Sequence, residues 1–131
     1  MQMGAGEFNT KERLMKAVGY KRALPVDDPE SLLDVNLPEP VFGAHDLLVD
    51  IKAVSVNPVD TKVRRSTNPP AGEIKVLGWD AAGIVRGVGR QVTLFRPGDN
   101  VWYAGSIART GTNAERHVVD ERIVGDRKSV V

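Results

Sequence analysis

Short strand-like segments, each ended by a proline or glycine turn, place the strongest constraint on the fold of this chain. The clearest is 47–56, whose odd-numbered residues are expected to form an apolar face and whose even-numbered residues form a face with a charged middle. Similar segments recur with turn signals about every 8 to 12 residues, and only one short stretch, 59–65, has the character of a helix. This pattern predicts a mainly β fold, a barrel or a sandwich.

The stretch from Asn57 to Asp80 is the candidate site of the chain. Asn57 suits the N-cap of the short helix, and Pro58 would be its first residue, where the missing N–H costs nothing. A proline-containing loop follows, and the chain then returns through Gly78 and Trp79 to Asp80 and another strand. Polar side chains are therefore grouped where two strands and a helix are expected to meet.

Composition excludes several classes of function. The 131 residues suffice for one domain, and 18 Lys and Arg against 17 Asp and Glu give no basis for a nucleic-acid partner. The absence of cysteine excludes disulfides, thiolate metal sites and a cysteine nucleophile, while His45 and His117 lack the spacing of metal ligands. The chain has neither an apolar run of about 18 residues nor a signal-peptide pattern, so no membrane partner and a cytoplasmic location are expected.

A glycine pair in the second half does not form a nucleotide-binding motif. Gly87 and Gly89 could begin a dinucleotide fingerprint, but its third glycine position is occupied by Val92 and no helical pattern follows. The fingerprint needs a helix N-terminus to hold the pyrophosphate. These glycines are therefore expected to serve a turn at the end of a strand.

Four residues of the candidate site each allow a functional and a structural interpretation. Asn57 can hydrogen-bond a ligand or simply cap the helix, and Lys62 can act on a substrate or lie exposed on the helix. Trp79 can stack on a planar ligand or pack in the core, and Asp80 can orient a neighbour or end a turn. The residues alone leave these alternatives open.

Several motifs, in order and spacing, match those of one enzyme superfamily. They are Met15-Lys16-Ala17-Val18, Leu47-Leu48-Val49, Val56-Asn57-Pro58-Val59-Asp60, Leu77-Gly78-Trp79-Asp80-Ala81-Ala82-Gly83, Pro97-Gly98-Asp99 and Asn113-Ala114-Glu115. Over residues 15–125 the chain resembles the N-terminal, GroES-like domain of the medium-chain dehydrogenase/reductase superfamily. Within it, the resemblance is to the quinone oxidoreductase and zinc-type alcohol dehydrogenase-like branch.

The resemblance implies a partly open β-barrel with one or two short helices over residues 15–125. In such enzymes this domain packs against a Rossmann domain, with substrate and nicotinamide in the cleft between them. The Rossmann domain would begin after residue 125 and is absent from this chain. Residues 1–14 are expected to be a flexible tail. Residues 126–131 are expected to be a non-native tail, because they resemble the translation of a common sequencing adapter.

The chain departs from the zinc-containing members of the family at their metal ligands. Those enzymes place a zinc-binding cysteine where this chain has Asn57, a proton-relaying serine or threonine at Val59, and a histidine ligand at Trp79. Their structural zinc lobe would fall within 102–115, which contains no cysteine. The resemblance therefore implies that no residue here binds a metal and that zinc is not required.

Without zinc, the resemblance implies hydride transfer from NADPH to a quinone or enone. Asn57 would be a catalytic and cofactor-binding residue near the nicotinamide, and Lys62, where many quinone reductases carry a tyrosine, a second catalytic residue. Trp79 and Asp80 would complete the substrate pocket with these two. The chain alone would be inactive, and an exposed domain face leaves a homodimer as an option. The alternatives are a stand-alone GroES-like binding or assembly module without catalysis, and a zinc-type alcohol dehydrogenase whose ligands lie elsewhere.

Overall fold

Strands dominate the architecture, as the sequence predicts. A computed structural model describes residues 14–106 and 109–126. The elements are β1 (Leu14–Tyr20), β2 (Leu33–Pro38), β3 (Asp46–Ser55), α1 (Pro58–Ser66), β4 (Lys75–Val76), β5 (Asp80–Val88), β6 (Asn100–Ala104), β7 (Arg116–Asp120) and β8 (Val124–Asp126), with a 3-10 turn at Glu121–Ile123. No helix within the described ranges combines the length and the apolar character that crossing a membrane requires.

The predicted tails lie almost entirely outside the described residues. Each tail contributes one described residue: Leu14 is the first residue of β1, and Asp126 is the last residue of β8.

Two antiparallel sheets form the curled wall of a half-barrel. One has the strand order β2-β1-β4 and the other β7-β3-β5-β6-β8. The segment 113–115 joins them, because Val18 N donates to Asn113 O at 2.9 Å and Ile51 N donates to Glu115 O at 2.9 Å. One segment thus bonds to β1 and to β3, which confirms the predicted partly open barrel.

The core lies on the inner face of the five-stranded sheet. Alternate residues of β5 and β6 point inward, including Val85 and Val101, as the period of a half-buried strand requires. The fully packed set is Leu47, Val49, Ala81, Val85, Val101, Tyr103 and Val119. A second, smaller cluster of Tyr20, Leu77 and Trp79 has Val63 of α1 packed against it. The helix is therefore attached to the barrel by its own small core.

The predicted alternation of β3 holds only as far as Ile51. Ile51 pairs with Gly83 but Ala53 pairs with Ala82, so Lys52 is an extra residue on β3. Such a bulge reverses the side to which all later residues point, and Ala53 therefore no longer shares a face with Ile51. The prediction of one apolar face through the whole strand is wrong for this reason.

Candidate functional site

The start of α1 fixes the backbone of Asn57. Asn57 occupies the N-cap in an extended conformation (φ −123°, ψ 162°), and Pro58 is the first helical residue. Asp60 closes the turn, because its Oδ2 accepts the Asn57 backbone N–H at 2.8 Å and its own N–H donates to the Asn57 carbonyl at 2.9 Å. Asn57 therefore occupies the predicted N-cap position, and the Asp60 carboxylate reaches back to its backbone as in one half of a capping box.

The Asn57 side chain reaches across to the start of β5. Its Nδ2 donates to Asp80 Oδ2 at 2.7 Å, and the Ser55 hydroxyl donates more weakly to the same oxygen at 3.4 Å. Asp80 is paired in the sheet with Ser55 on one side and Ala104 on the other. The fold therefore brings together two of the four predicted site residues, Asn57 and Asp80, and adds Ser55, which the sequence did not single out.

Gly78 makes the turn that delivers Asp80 to this position. Its φ of +95° lies in the region that favours glycine, and a Cβ there would lie 2.7 Å from both Asn113 Oδ1 and Thr112 Oγ1. Thr112 N donates to Gly78 O at 2.6 Å, and Gly105 N donates to Trp79 O at 2.5 Å. The chain between β4 and β5 is thus held from both sides just before Asp80.

Trp79 is part of the core beneath α1. It is 4% exposed and packs with Tyr20 and Leu77, while the Tyr20 hydroxyl hydrogen-bonds to the carbonyls of Val63 (3.1 Å) and Thr67 (2.6 Å) at the end of the helix. Within the described part of the chain the buried Trp79 Nε1 has no hydrogen-bond partner. Its membership of a substrate pocket stays a prediction.

Lys62 lies on the exposed surface of α1. Its backbone carbonyl accepts the Ser66 hydroxyl at 2.7 Å. Between the described residues, no hydrogen bond or ion pair links its ammonium group to Asn57 or Asp80. A catalytic role for Lys62 therefore stays a prediction.

An open groove of about 380 Å³ runs from Asp80 along the outer face of the sheet. Its floor includes the small side chains of Ala53, Ala82 and Ala104, and Trp102, 47% exposed, forms one wall. Sequence reasoning missed this groove because it depends on the Lys52 bulge, which turns Ala53 outward. The alternation of Val101 and Tyr103 with Trp102 was the available signal, since it predicts an outward indole.

Two larger cavities lie away from Asn57 and Asp80. One of about 850 Å³ opens between the two sheets, and another of about 630 Å³ lies beside β7. In the second, Arg109 pairs with Asp46 at 3.1 Å and Arg116 with Glu39 at 2.5 Å. Both guanidinium groups in this cavity are thus already paired with carboxylates. Its larger volume alone does not make it the functional site.

A buried polar network lies close behind the site. The Thr110 carbonyl can only accept, so His117 Nε2 donates to it at 2.8 Å, and His117 Nδ1 accepts from the Tyr103 hydroxyl at 2.8 Å. Burial lowers the pKa of His117, partly opposed by the hydrogen bond to Thr110 and assisted by Arg109, and burial also raises the pKa of Tyr103. The network holds the loop before β7 and was not foreseen from the sequence.

Asn57 and Trp79, which the resemblance aligns with zinc ligands, do not offer the donors that zinc prefers. The Asn57 side-chain nitrogen already donates to Asp80. The ring of the buried Trp79 has no lone pair comparable to that of an imidazole. Across residues 14–106 and 109–126, no group of three or more His, Asp or Glu is arranged to hold a metal ion.

Comparison with known proteins identifies one family. Residues 43–127 match the family of the alcohol dehydrogenase GroES-like domain. Over 110 residues the chain is 40% identical to a zinc-type alcohol dehydrogenase-like protein of Staphylococcus epidermidis, covering 84% of this chain and 32% of the relative.

Two solved structures share the fold. A protein of Rhizobium etli CFN 42 with a provisional zinc-dependent alcohol dehydrogenase name is 64% identical, with a TM-score of 0.84 over 90% of this chain and 34% of that one. The Escherichia coli quinone oxidoreductase, solved with NADPH, is 25% identical, with a TM-score of 0.69 over 85% of this chain and 32% of that one. The chain thus spans about one third of the length of these relatives.

Proposed function

The chain belongs to the alcohol dehydrogenase GroES-like domain family of the medium-chain dehydrogenase/reductase superfamily, and from that membership we propose that it is the substrate-side domain of an NADPH-dependent, zinc-independent oxidoreductase. The enzyme reduces quinones or enones by hydride transfer. The observation that supports this proposal is the hydrogen bond between the Asn57 amide and Asp80, since the resemblance assigns to Asn57 the position at which zinc enzymes of the family carry a thiolate.

Conjugated acceptors suit a site of this kind. A quinone or enone is already electrophilic, so it needs a hydrogen-bond donor for the negative charge that develops on its oxygen rather than a strong Lewis acid. Asn57 gives one amide hydrogen to Asp80 and retains a second for a substrate oxygen. Lys62, on the same helix, supplies a positive charge or a proton if the substrate lies over α1.

The cofactor would be held mainly by the part of the enzyme outside this chain. NADPH, when bound, supplies the hydride. Asn57, beside the open groove at Asp80, is the residue here best placed to contact the nicotinamide amide, because its side chain offers both a donor and an acceptor. We therefore expect residues 1–131 alone to be inactive.

The test is an assay of the full-length protein. We expect consumption of NADPH with a quinone and with an enone, and Asn57→Ala is expected to lower kcat by at least about tenfold. Loss of the N-cap should cost only about 1 kcal/mol of unfolding free energy. An unchanged kcat together with that stability loss would reduce Asn57 to a helix cap.

Metal analysis of the same protein separates this proposal from a zinc-type alcohol dehydrogenase, the name carried by the Staphylococcus epidermidis relative. We expect turnover to survive exhaustive chelation. About one zinc per chain, with activity that is lost on its removal and restored on its return, would overturn zinc independence.

A further inference from the structure

The hydrogen bond between Asn57 and Asp80 joins a helix cap to a sheet. From it we propose that Asp80 is a positioning residue: it fixes the orientation of the Asn57 side-chain amide and acts on the reaction only through that amide. The inference rests on the proposed function. It assigns to Asp80 the role of orienting Asn57, the residue that contacts the substrate.

The chemistry of the two groups permits only one orientation of the amide. An ionised carboxylate can only accept, so the 2.7 Å contact must come from the Asn57 nitrogen. Rotating the amide by half a turn would set its oxygen against Asp80 Oδ2 with no proton between them. A hydrogen bond to a charged group of this kind favours the observed orientation by roughly 10- to 150-fold. Because the amide is planar, fixing its nitrogen also fixes the side on which its oxygen lies.

Both ends of the contact are held by rigid elements. The Asp80 backbone is paired to β3 through Ser55 and to β6 through Ala104. The Asn57 backbone is fixed by its contacts with Asp60 at the start of α1. Side chains on rigid elements keep the narrow geometry that catalysis needs, so Asp80 can define the amide position rather than follow it.

Asp80 itself is already engaged by the protein. Its Oδ2 accepts from Asn57 and, more weakly, from Ser55. The carboxylate is half-buried at the end of the groove, in direct contact with the amide that it orients. We therefore expect its removal to matter only while the Asn57 amide is present.

A double-mutant cycle in the full-length enzyme tests this dependence. Asp80→Asn keeps the size of the side chain but allows the amide pair to rotate, and we expect kcat to fall about tenfold while the protein stays folded. In the Asn57→Ala background the same change should have no further effect. Asp80→Glu, which retains a carboxylate, should recover part of the loss. Asp34→Asn, on the exposed side of β2, is the matched control and should leave kcat unchanged.

Equal losses from Asp80→Asn in both backgrounds would show that Asp80 acts independently of Asn57 and would overturn the proposal. Nuclear magnetic resonance of protein labelled at asparagine provides a test that needs no activity. The amide proton that faces a carboxylate should be shifted downfield, and Asp80→Asn should abolish that shift. An unchanged Asn57 amide signal would also overturn the proposal. If the wild-type enzyme is inactive but shows the expected Asn57 amide signals, the proposed function is wrong, while the orientation of the amide by Asp80 still holds.

Discussion

Gly78 shows how a single residue can determine the position of the site. The turn before Asp80 needs a positive φ, and the space beside the Gly78 Cα is filled by the side chains of Thr112 and Asn113. A side chain at position 78 would therefore introduce backbone strain and steric overlap together. This position lies one residue before Trp79 and two before Asp80.

The substitution Gly78→Ala is expected to lower the unfolding free energy by about 3 kcal/mol, as the sum of backbone strain and overpacking. Gly72→Ala is the matched control, because Gly72 also has a positive φ (+83°) but no atom within 4 Å of an added Cβ. Gly72→Ala should lower the unfolding free energy by the backbone strain alone, about 1 kcal/mol. Urea unfolding of both variants measures the difference, and equal losses would show that the contacts with Thr112 and Asn113 contribute nothing.

The loop before β7 is attached to its strand by a titratable group. His117 on β7 donates to the Thr110 carbonyl and accepts from Tyr103 on β6, so one imidazole joins two strands and the loop. This arrangement needs the neutral ring, since a protonated Nδ1 could not accept the Tyr103 hydrogen.

The stability of the fold should therefore depend on pH. Because burial lowers the pKa of His117 in the folded state, the unfolded chain binds more protons under mildly acidic conditions. The stabilisation is complete above the unfolded pKa of about 6.5 and decreases as the pH falls through that value toward the folded pKa. His117→Gln should flatten this part of the curve, measured as unfolding free energy between about pH 7.5 and pH 5. An equally steep curve in the variant would assign the effect to other groups.

As a whole, the molecule exposes apolar side chains at the β3 end of the groove. Val54 (41% exposed) and Trp102 (47% exposed) line the groove, and Val56, at 74%, follows the last residue of β3. Exposed apolar surface of this kind commonly marks an interface.

Residues 1–131 alone are expected to self-associate through this surface. Sedimentation velocity should show a concentration-dependent dimer, which the paired change Val54→Ser and Trp102→Ser should return to a monomer. Val41→Ser and Val26→Ser form a matched pair, because both valines are strongly exposed but lie outside the groove (95% and 78%). A dimer weakened equally by both pairs would show that general hydrophobicity, rather than the groove, drives association.

The local pattern of the sequence determined which elements form and where they begin. Asn57 and Pro58 predicted the start of α1, and the spacing of strands and turns predicted a mainly β, partly open barrel. Such features follow from neighbouring residues alone, because capping, proline geometry and strand alternation act over a few positions. The motif spacing also identified the family.

Only the tertiary structure decided how the site is assembled. The Asn57–Asp80 bond joins residues 23 positions apart, the Lys52 bulge depends on the register between β3 and β5, and the burial of Trp79 depends on α1 packing over it. Register and packing are set by contacts between distant segments, and a single added residue on one strand reverses every side chain beyond it. The sequence therefore named Asn57, Lys62, Trp79 and Asp80 as candidates, and the fold joined Asn57 to Asp80, buried Trp79 and left Lys62 at the surface.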